Sequence, residues 1–439
     1  MALFRFFFIA LTFVMPSALL AEKMEKIETL TWFNCVKEAA RNNPNLESAY
    51  QALQSSEATR KASYSAFFPQ LSANADLTHS FQPRDNNGSA GDSAPFSSSL
   101  ALKEYTTDYS ANLQLQQLLF DGFRAKGTVD QARAQSRASL AALSQEKAVV
   151  SYELKSAFAQ LLYAQELITI SQDIKKRRDL NYRLIDLRYE SGKENKGALL
   201  LSKANLSQAQ FDLQQAMRNN EVSQRQLSQV MGRDQFRPIQ ASGYLTTRPV
   251  TPIHDFRSLA LVTPAHYQLE AQSQAAAAGI TIARSDWFPQ IHGLGALNAR
   301  GNDRFPEYDG WSVGVSASLN IFDWGKTYFN VKAARADLLR SLAELRSSDN
   351  ETELSLAQDY KTLVDAVEHV KIDEERLQAA ALRAEIAEKQ YRNGLISFQD
   401  FETITNDYIN LQRTALTSRR DAVIAEANWE QSQGKGVLP

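Results

Sequence analysis

A short motif occurs twice in this chain and divides it into two similar halves. Phe120-Asp121-Gly122 is followed 202 positions later by Phe322-Asp323-Trp324. Each copy ends a segment in which apolar and polar residues alternate, and each begins an Ala-rich segment with helical periodicity. The same offset pairs Tyr189 with Tyr391 and Gly192 with Gly394. A constant offset over about seventy residues predicts one structural unit built twice.

The repeat organises the 439 residues into segments. Residues 1–21 read as a signal peptide, with Arg5, an apolar run and small residues before a cleavage point after Ala21. We expect a first repeat at 22–231, an irregular linker rich in Pro and Gly at 232–254, a second repeat at 255–432 and a tail at 433–439. Each repeat should contain a helix, two strands and a long helical hairpin, and the first helix should span Leu30 to about Tyr64 with a break at Pro44.

Four segments alternate strictly enough to predict strands: residues 71–81, 108–116, 291–300 and 311–321. Each has one apolar and one polar face, although Leu294 and Ala296 place apolar residues on the polar face of the third. A length of about ten to twelve residues suits a transmembrane β-strand. The residues expected to face water inside a barrel are Asn74, Asp76, Asn112, Gln114, Ser316 and Ser318.

The segment after each strand pair has the heptad periodicity of a coiled coil. The pattern runs from residue 124 to about 190 and predicts a helix on the order of 100 Å long. Gly192 and Gly394 can take the left-handed conformation that ends a helix. We expect the chain to return as second helices, Ala198 to about Val230 and Asp400 to about Ser432.

Four strands cannot close a barrel, and an open sheet edge is not tolerated in lipid. Two copies would give eight strands with a filled interior, whereas three give twelve strands whose polar faces can line water. The sequence therefore predicts an α+β membrane protein. We expect a trimeric 12-stranded β-barrel, with four strands per chain, that continues into a long α-helical coiled-coil periplasmic barrel.

The order and duplication of these motifs resemble the TolC family of outer-membrane efflux and secretion channels. The likeness is carried by Asn42-Asn43-Pro44, Phe68-Pro69-Gln70, Phe120-Asp121-Gly122-Phe123-Arg124, Tyr189-Glu190-Ser191-Gly192 and their second-half copies. The resemblance implies a homotrimer in the outer membrane of a Gram-negative bacterium that conducts export, either efflux or type I secretion. It further implies that the periplasmic end docks to an adaptor served by an inner-membrane transporter.

The resemblance also places the docking region at the hairpin tips, near Tyr189, Gly192, Tyr391, Gly394 and Asp400. The family pattern has Asp six residues after the tip Gly. Asp400 fits that pattern after Gly394, but Ala198 occupies the place after Gly192, so the two tips need not dock equivalently. Three copies of Asp400 around a closed tip would form an acidic gate. Alternatively, Asp400 caps the returning helix.

Other candidate residues have two interpretations. Aromatic residues at one end of the strands suit a membrane-interface girdle or ordinary packing at the junction; they are Phe68, Phe120, Trp287, Phe322 and Trp324. Asp121 and Asp323 are expected to cap the helices that follow them. The basic run Lys175-Lys176-Arg177-Arg178 suggests a solvated helix face or an adaptor contact.

Composition excludes several function classes. A formal net charge of −2 gives no support to a nucleic-acid partner. The five histidines have no metal-ligand spacing, and no phosphate loop or nucleophile motif occurs, so neither an enzyme nor a cofactor is predicted. Cys35 is the only cysteine and is expected to be a buried structural thiol. The alternative function is a non-conducting periplasmic coiled-coil adaptor or structural protein, but such a protein would not need four strands of bilayer length.

Overall fold

The computed structural model describes residues 28–83, 103–302 and 305–438. The predicted signal peptide and most of the loop between the first two alternating strands lie outside these residues. The strands are β1 (Glu28–Thr31), β2 (Gln70–Pro83), β3 (Lys103–Phe120), β4 (Ile239–Ser242), β5 (Gln290–Gly301) and β6 (Tyr308–Ser318). The helices are α1 (Trp32–Asn42), α2 (Pro44–Ser63), α3 (Arg124–Glu190), α4 (Lys196–Val230), α5 (Phe256–Ala260), α6 (Pro264–Arg284), α7 (Lys326–Arg392) and α8 (Phe398–Ser432).

The tandem repeat is visible in the helix lengths. Helices α3 and α7 each have 67 residues, and α4 and α8 each have 35. At 1.5 Å per residue, the long helices extend about 100 Å. Gly192 and Gly394 both have φ of +71° and separate the two helices of each hairpin. The predicted α+β class, with four alternating strands and two long helical hairpins per chain, is confirmed.

The four alternating strands form one antiparallel sheet in the order β2-β3-β5-β6. The central pair, β3 and β5, joins the two repeats. Strands β2 and β3 have 14 and 18 residues, so the expected length of ten to twelve was too short for the first repeat. Strand β6 ends at Ser318, so the predicted continuation to Ile321 was wrong. Leu294 and Ala296 do lie on the polar face, opposite Gln116 and Gln114.

The helices form a layer in which α3 is central. It packs against α2, α4, α6 and α8, whereas α7 packs mainly against α5, α6 and α8. Within the part of the chain that the structure describes, no helix is both long and apolar enough to cross a membrane.

A second, small sheet lies beside the middle of the helical layer and was not predicted. Residues 28–31 form strand β1, so the expected helix from Leu30 was wrong at its first residues. The linker also contains strand β4, which pairs in parallel with β1. Leu30 and Ile239 bury their side chains from these strands in a core that includes Cys35 and Leu154. Cys35 is therefore the buried thiol that the sequence predicted.

Candidate functional site

The predicted lumen residues lie together on one face of the four-stranded sheet. Asn74 is opposite Asn112, and Asn112 is in turn opposite Asn298, with its Nδ2 donating to Asn298 Oδ1 at 2.7 Å. Ser316 and Ser318 are opposite His292 and Gln290. Directly opposed residues in an antiparallel pair share a face. The remaining members, Asp76 and Gln114, oppose Ser110 and Ser72, so all six side chains belong to one polar surface.

The other face of the sheet is apolar and uncovered in a single copy of the chain. Leu113, Val313 and Val315 are exposed large hydrophobic residues on this face. Further exposed hydrophobic residues on the four strands lie on the same face: Leu71, Leu77, Leu115, Leu297 and Trp311. An exposed apolar surface of this extent marks a contact with lipid or with protein.

Two consecutive left-handed residues separate each strand pair from its long helix. In the first repeat they are Gly122 and Phe123, with φ of +66° and +71°. In the second they are Trp324 and Gly325, with φ of +55° and +80°. Each turn thus places one non-glycine residue in a conformation that costs roughly 1–2 kcal/mol. The same backbone is kept in both copies, although the glycine occupies the first position in one and the second position in the other.

The two aspartates of the repeated motif cap the long helices, as predicted. Asp121 Oδ2 accepts a hydrogen bond from the backbone N–H of Ala125 at 2.7 Å. Asp323 Oδ2 accepts from the N–H of Thr327 at 2.8 Å, and Asp323 Oδ1 accepts from that of Gly325 at 3.1 Å. The bonds from Thr327 hold the pKa of Asp323 below its usual range. These contacts fix the angle at which the strands lead into the helices.

The five predicted girdle residues all lie at this junction, but they are not equivalent. Phe120 is half-buried and makes edge-to-face contacts with Phe288 and Phe123, at centroid distances of 6.3 and 5.8 Å. The other four are exposed, and Phe322 and Trp324 contact each other at 4.9 Å; the exposed set is Phe68, Trp287, Phe322 and Trp324. Phe120 therefore packs the junction, while the other four leave their rings available to an interface.

At the hairpin tips, the two equivalent tyrosines have different surroundings. Tyr391 is 1% exposed, whereas Tyr189 is 38% exposed. The Tyr391 ring stacks on Phe401 at 4.7 Å, and the Arg188 guanidinium lies 4.6 Å from its centroid. The Tyr391 hydroxyl donates to Glu194 Oε2 at 2.8 Å. Burial and this bond to Glu194 raise the pKa of Tyr391. Tyr391 thus joins the two tips. The sequence analysis treated Tyr189 and Tyr391 as equivalent and did not predict this difference.

Further along the hairpins, Arg178 and Glu402 form a buried ion pair. Arg178 Nη1 donates to both carboxylate oxygens of Glu402, at 2.9 and 3.1 Å. Asn205 Nδ2 and Asn406 Nδ2 donate to Glu402 Oε1 at 2.7 and 3.1 Å, and Arg178 also donates to Asn406. The interpretation of the basic run as a solvated face was therefore wrong for Arg178, although Lys175 and Lys176 are exposed. The burial of Arg178 depends on Glu402 of α8, which is more than 200 positions away in the sequence, so no local pattern could have predicted it.

The residues six positions after the two tip glycines play similar backbone roles. Ser397 caps α8 by accepting from the N–H of Asp400 at 3.1 Å, and its hydroxyl donates to Asp400 Oδ2 at 2.6 Å. Asn195 caps α4 in the same way, accepting from the N–H of Ala198 at 2.9 Å. The cap of α8 is thus Ser397 rather than Asp400. The Asp400 carboxylate remains exposed at the tip.

The two hairpin ends carry opposite charge. Residues 172–205 contain nine Lys or Arg and five Asp or Glu, whereas the equivalent residues 374–407 contain four and seven. Contacts between the repeats use this difference, since Arg178 meets Glu402 and Arg177 lies 4.0 Å from Glu388. Neighbouring hairpins are therefore electrostatically complementary near their tips.

The described residues contain no group of three or more His, Cys, Asp or Glu side chains arranged to hold a metal ion.

Comparison with known proteins adds a family relationship. The model of a family described as outer membrane efflux protein matches residues 35–233 and 264–435, which together make up most of the chain. Two relatives span nearly the whole chain. The outer membrane efflux protein BepC of Brucella suis biovar 1 (strain 1330) is 20% identical over 404 residues, covering 91% of this chain and 83% of BepC. The probable outer membrane lipoprotein SilC of Salmonella typhimurium is 22% identical over 421 residues, covering 91% of this chain and 85% of SilC.

Solved structures share the fold at low identity. The transmembrane channel CusC superposes with a TM-score of 0.79 at 16% identity, covering 92% of each chain. The open state of the Neisseria gonorrhoeae MtrE outer membrane channel superposes with a TM-score of 0.79 at 17% identity, covering 93% of this chain and 89% of MtrE.

Proposed function

The chain belongs to the outer membrane efflux protein family, and we propose that three copies of it close into one duct from the periplasm to the cell exterior. It is an outer-membrane export channel of a Gram-negative bacterium, with its helical part in the periplasm. The family is one of transport proteins rather than enzymes. We also propose that each copy is divided into two structural repeats, at residues 22–231 and 255–432.

One observation carries the proposal of a closed trimer. The sheet has one polar face and one exposed apolar face, and it ends at two edge strands. Among the described residues, β2 pairs only with β3 and β6 pairs only with β5, so the outer side of each edge strand has no strand beside it. Such edges must be paired in lipid. Three copies supply twelve strands, which leaves room for water between the polar faces, whereas eight strands would fill the interior with side chains. The polar residues then line the lumen and the apolar residues contact lipid.

The exposed junction aromatics fit a girdle at the periplasmic membrane face in this arrangement. Outer-membrane barrels carry girdles of aromatic residues at both membrane interfaces. Phe322 and Trp324 would lie there together with Phe68 and Trp287. Phe120 would instead hold the junction to the helices.

The tips are the proposed docking region for a periplasmic adaptor, with an inner-membrane transporter as the indirect partner and the energy source. The exposed residues Tyr189 and Asp400 and the two tip glycines, Gly192 and Gly394, offer the contacts, while Tyr391 holds the hairpins together from inside. In a trimer, positively and negatively charged hairpins would alternate around the tip. An adaptor would therefore meet two kinds of groove between hairpins. The three exposed Asp400 carboxylates would form the acidic gate, while Ser397 caps α8.

The duct is tested by measuring the oligomer mass of the purified protein in detergent and its single-channel conductance in a planar bilayer. We expect a trimer that inserts and conducts ions. A monomer or an oligomer without bilayer insertion would contradict the proposal and favour the non-conducting adaptor.

A further inference from the structure

We infer that β6 of one copy pairs with β2 of the next copy in a single register, which places Ser316 opposite Asp76. This inference rests on the proposed ring of copies. It adds which residues of this chain meet, and it predicts matching helix contacts below the sheet.

The register follows from the internal repeat. Strand β6 is the equivalent of β3 at an offset of 202, and β2 is the equivalent of β5 at an offset of 220. Among the described residues, the pair β3–β5 is the one place where strands of the four-stranded sheet from the two repeats meet. Its equivalent in a ring is therefore β6 against β2 of the neighbouring copy, because a head-to-tail interface repeats the same rotation until the ring closes.

The observed pairs of β3 and β5 convert directly into expected pairs. Gln114 opposite Ala296 becomes Ser316 opposite Asp76. The two adjacent pairs of β3 and β5 become Val315 opposite Leu77 and Ala317 opposite Ala75. Apolar residues thus meet apolar residues and polar residues meet polar residues, although no face was used to derive the register. A slip of one residue would place every side chain on the wrong face.

The long helices point to the same neighbour. Ala134 and Ala141 of α3 are buried, whereas their equivalents on α7, Ala336 and Ala343, are the same residue type and are exposed. Helix α3 packs between α2 and α6, which are equivalent helices of the two repeats. Among the described residues, α7 packs against α6 but not against α2. The uncovered face of α7 therefore matches α2 of the next copy, the equivalent of α6.

The sizes of two facing side chains support this contact between α7 and α2 of the next copy. In the chain, Gly127 of α3 lies against Ile282 of α6, and a Cβ at Gly127 would be 2.8 Å from Ile282 Cγ1. The equivalents are Phe329 on α7 and Ala62 on α2. The small and large partners are exchanged between the helices, so the pair keeps one large and one small residue. Phe329 is 61% exposed in a single copy and would be covered by the helix that carries Ala62.

A charge pair appears by the same conversion nearer the periplasmic end. Arg420 of α8 lies over the ring of Tyr163 of α3, with its guanidinium carbon 4.5 Å from the centroid. The equivalents are Arg218 on α4 and Asp365 on α7. The conversion therefore predicts that Asp365 of one copy, which also contacts Lys361 of its own helix, faces Arg218 of the next. This charge complementarity favours a second copy as the partner of this surface.

The register is tested by cysteine cross-linking in a Cys35→Ser background. We expect D76C/S316C to give covalently linked trimers on a non-reducing gel after oxidation. The matched controls N74C/S316C and T78C/S316C stay on the same face but shift the register by two residues, and they should cross-link several-fold less. Within one copy, β2 and β6 are three strand spacings apart, roughly 14 Å, which is too far for a disulfide.

Equal cross-linking in the three double variants, or none with D76C/S316C, would overturn the register. The oligomer mass and conductance of the reduced protein are measured in parallel. A conducting trimer without the D76C/S316C cross-link would contradict this inference alone, whereas absence of an oligomer in the protein of native sequence would contradict the proposed duct.

The helix contact has its own test. Phe329→Gly should weaken the trimer by leaving a gap, and Ala62→Ile should weaken it by crowding Phe329. The double variant recreates the Gly–Ile pair observed within the chain and should recover at least half of the lost trimer on a mildly denaturing gel. Additive losses in the double variant would show that these residues do not meet.

Discussion

Arg178 on α3 and Glu402 on α8 come from different repeats and form a two-pronged ion pair, with Nη1 2.9 and 3.1 Å from the carboxylate oxygens. Both side chains are only 8% exposed. The pair links the end of the first hairpin to the second, together with amide groups from Asn205 and Asn406. It is the buried ion pair among several contacts between the two hairpins, which also include the bond from the Tyr391 hydroxyl to Glu194.

Replacing Arg178 alone should therefore destabilise the helical layer. Arg178→Ala leaves the Glu402 carboxylate buried without its cation, which costs roughly 3–5 kcal/mol. The double variant Arg178→Leu/Glu402→Leu removes both charges and should lose much less stability than Arg178→Ala. The measurement is the thermal midpoint of the helical circular dichroism signal in detergent. Equal midpoints for the single and double variants would mean that water reaches the carboxylate.

Substitution by alanine should be tolerated less well at the junction glycine, Gly122, than at the tip glycine, Gly192. Gly122 and Gly192 have similar positive φ, so alanine costs roughly 1–2 kcal/mol in backbone strain at either position. At Gly122, however, a Cβ would lie 2.7 Å from Phe288 Cβ and 2.8 Å from the Ser285 carbonyl oxygen. At Gly192 it would meet nothing within 4 Å. We expect Gly122→Ala to reduce trimer yield severalfold and Gly192→Ala to have little effect; similar yields would show that the junction can shift.

The two faces of the sheet should respond oppositely to a new charge. Val315→Lys places a cation on the face assigned to lipid, which costs roughly 2–4 kcal/mol per copy near the bilayer midplane. Ser316→Lys places it in the lumen, where water can solvate it and the ion selectivity should shift toward anions. Leu113→Lys and Asn112→Lys provide a second matched pair. Heat-modifiable trimer on a gel and reversal potentials in a bilayer are the readouts, and equal loss of assembly on both faces would contradict the barrel assignment.

The repeated motif made most of this fold accessible from sequence. The ends of α3 and the position of α4 were predicted within about two residues, because Gly192 and the change of period are local signals. The polar residues of β2 and β3 were placed on one face because alternation is also local. Strand β4 was missed because its four residues are stabilised by pairing with β1, in which Glu28 is the partner of Ile239, more than 200 positions away. No local pattern reports such a pairing.

The tip shows the same limit in its side chains. Tyr189 and Tyr391 are equivalent by sequence, yet only Tyr391 is buried, because Phe401 and Arg188 enclose its ring. The position equivalent to Phe401 holds Leu199, and the one equivalent to Arg188 holds Gln390. A repeat predicts shared backbone, whereas the differences between its copies decide which copy builds the contact.

Removing the charge of Asp400 should separate gating from helix capping. Asp400→Asn keeps an acceptor for the Ser397 hydroxyl but removes three carboxylates from the tip of a trimer. We expect higher single-channel conductance and weaker block by divalent cations added from the periplasmic side. Ser397→Ala removes the cap, at a cost of about 1 kcal/mol, but keeps the charge, and should leave cation block intact. Equal conductance changes in both variants would mean that Asp400 acts only through the helix end.

The Cys35 thiol should be unreactive in the folded protein. Burial and the nearby Glu38 carboxylate raise its pKa from 9.0 to about 12, and the thiolate is the reactive form. Iodoacetamide at pH 8.5 should therefore label the protein in guanidinium but not the native protein, as judged by mass spectrometry, with Cys35→Ala as the blank. Equal labelling rates would contradict the buried site.

The same shift predicts a pH dependence of stability. Because the folded pKa lies above the unfolded one, the contribution of Cys35 is fully present below pH 9 and is lost as the pH rises from 9.0 toward about 12. Over that range the unfolded chain gains a thiolate that the folded core disfavours. Cys35→Ala has no such group, so the difference in thermal midpoint between the native sequence and this variant should shrink above pH 9. A difference that stays constant to pH 11 would mean that the thiol ionises equally in both states.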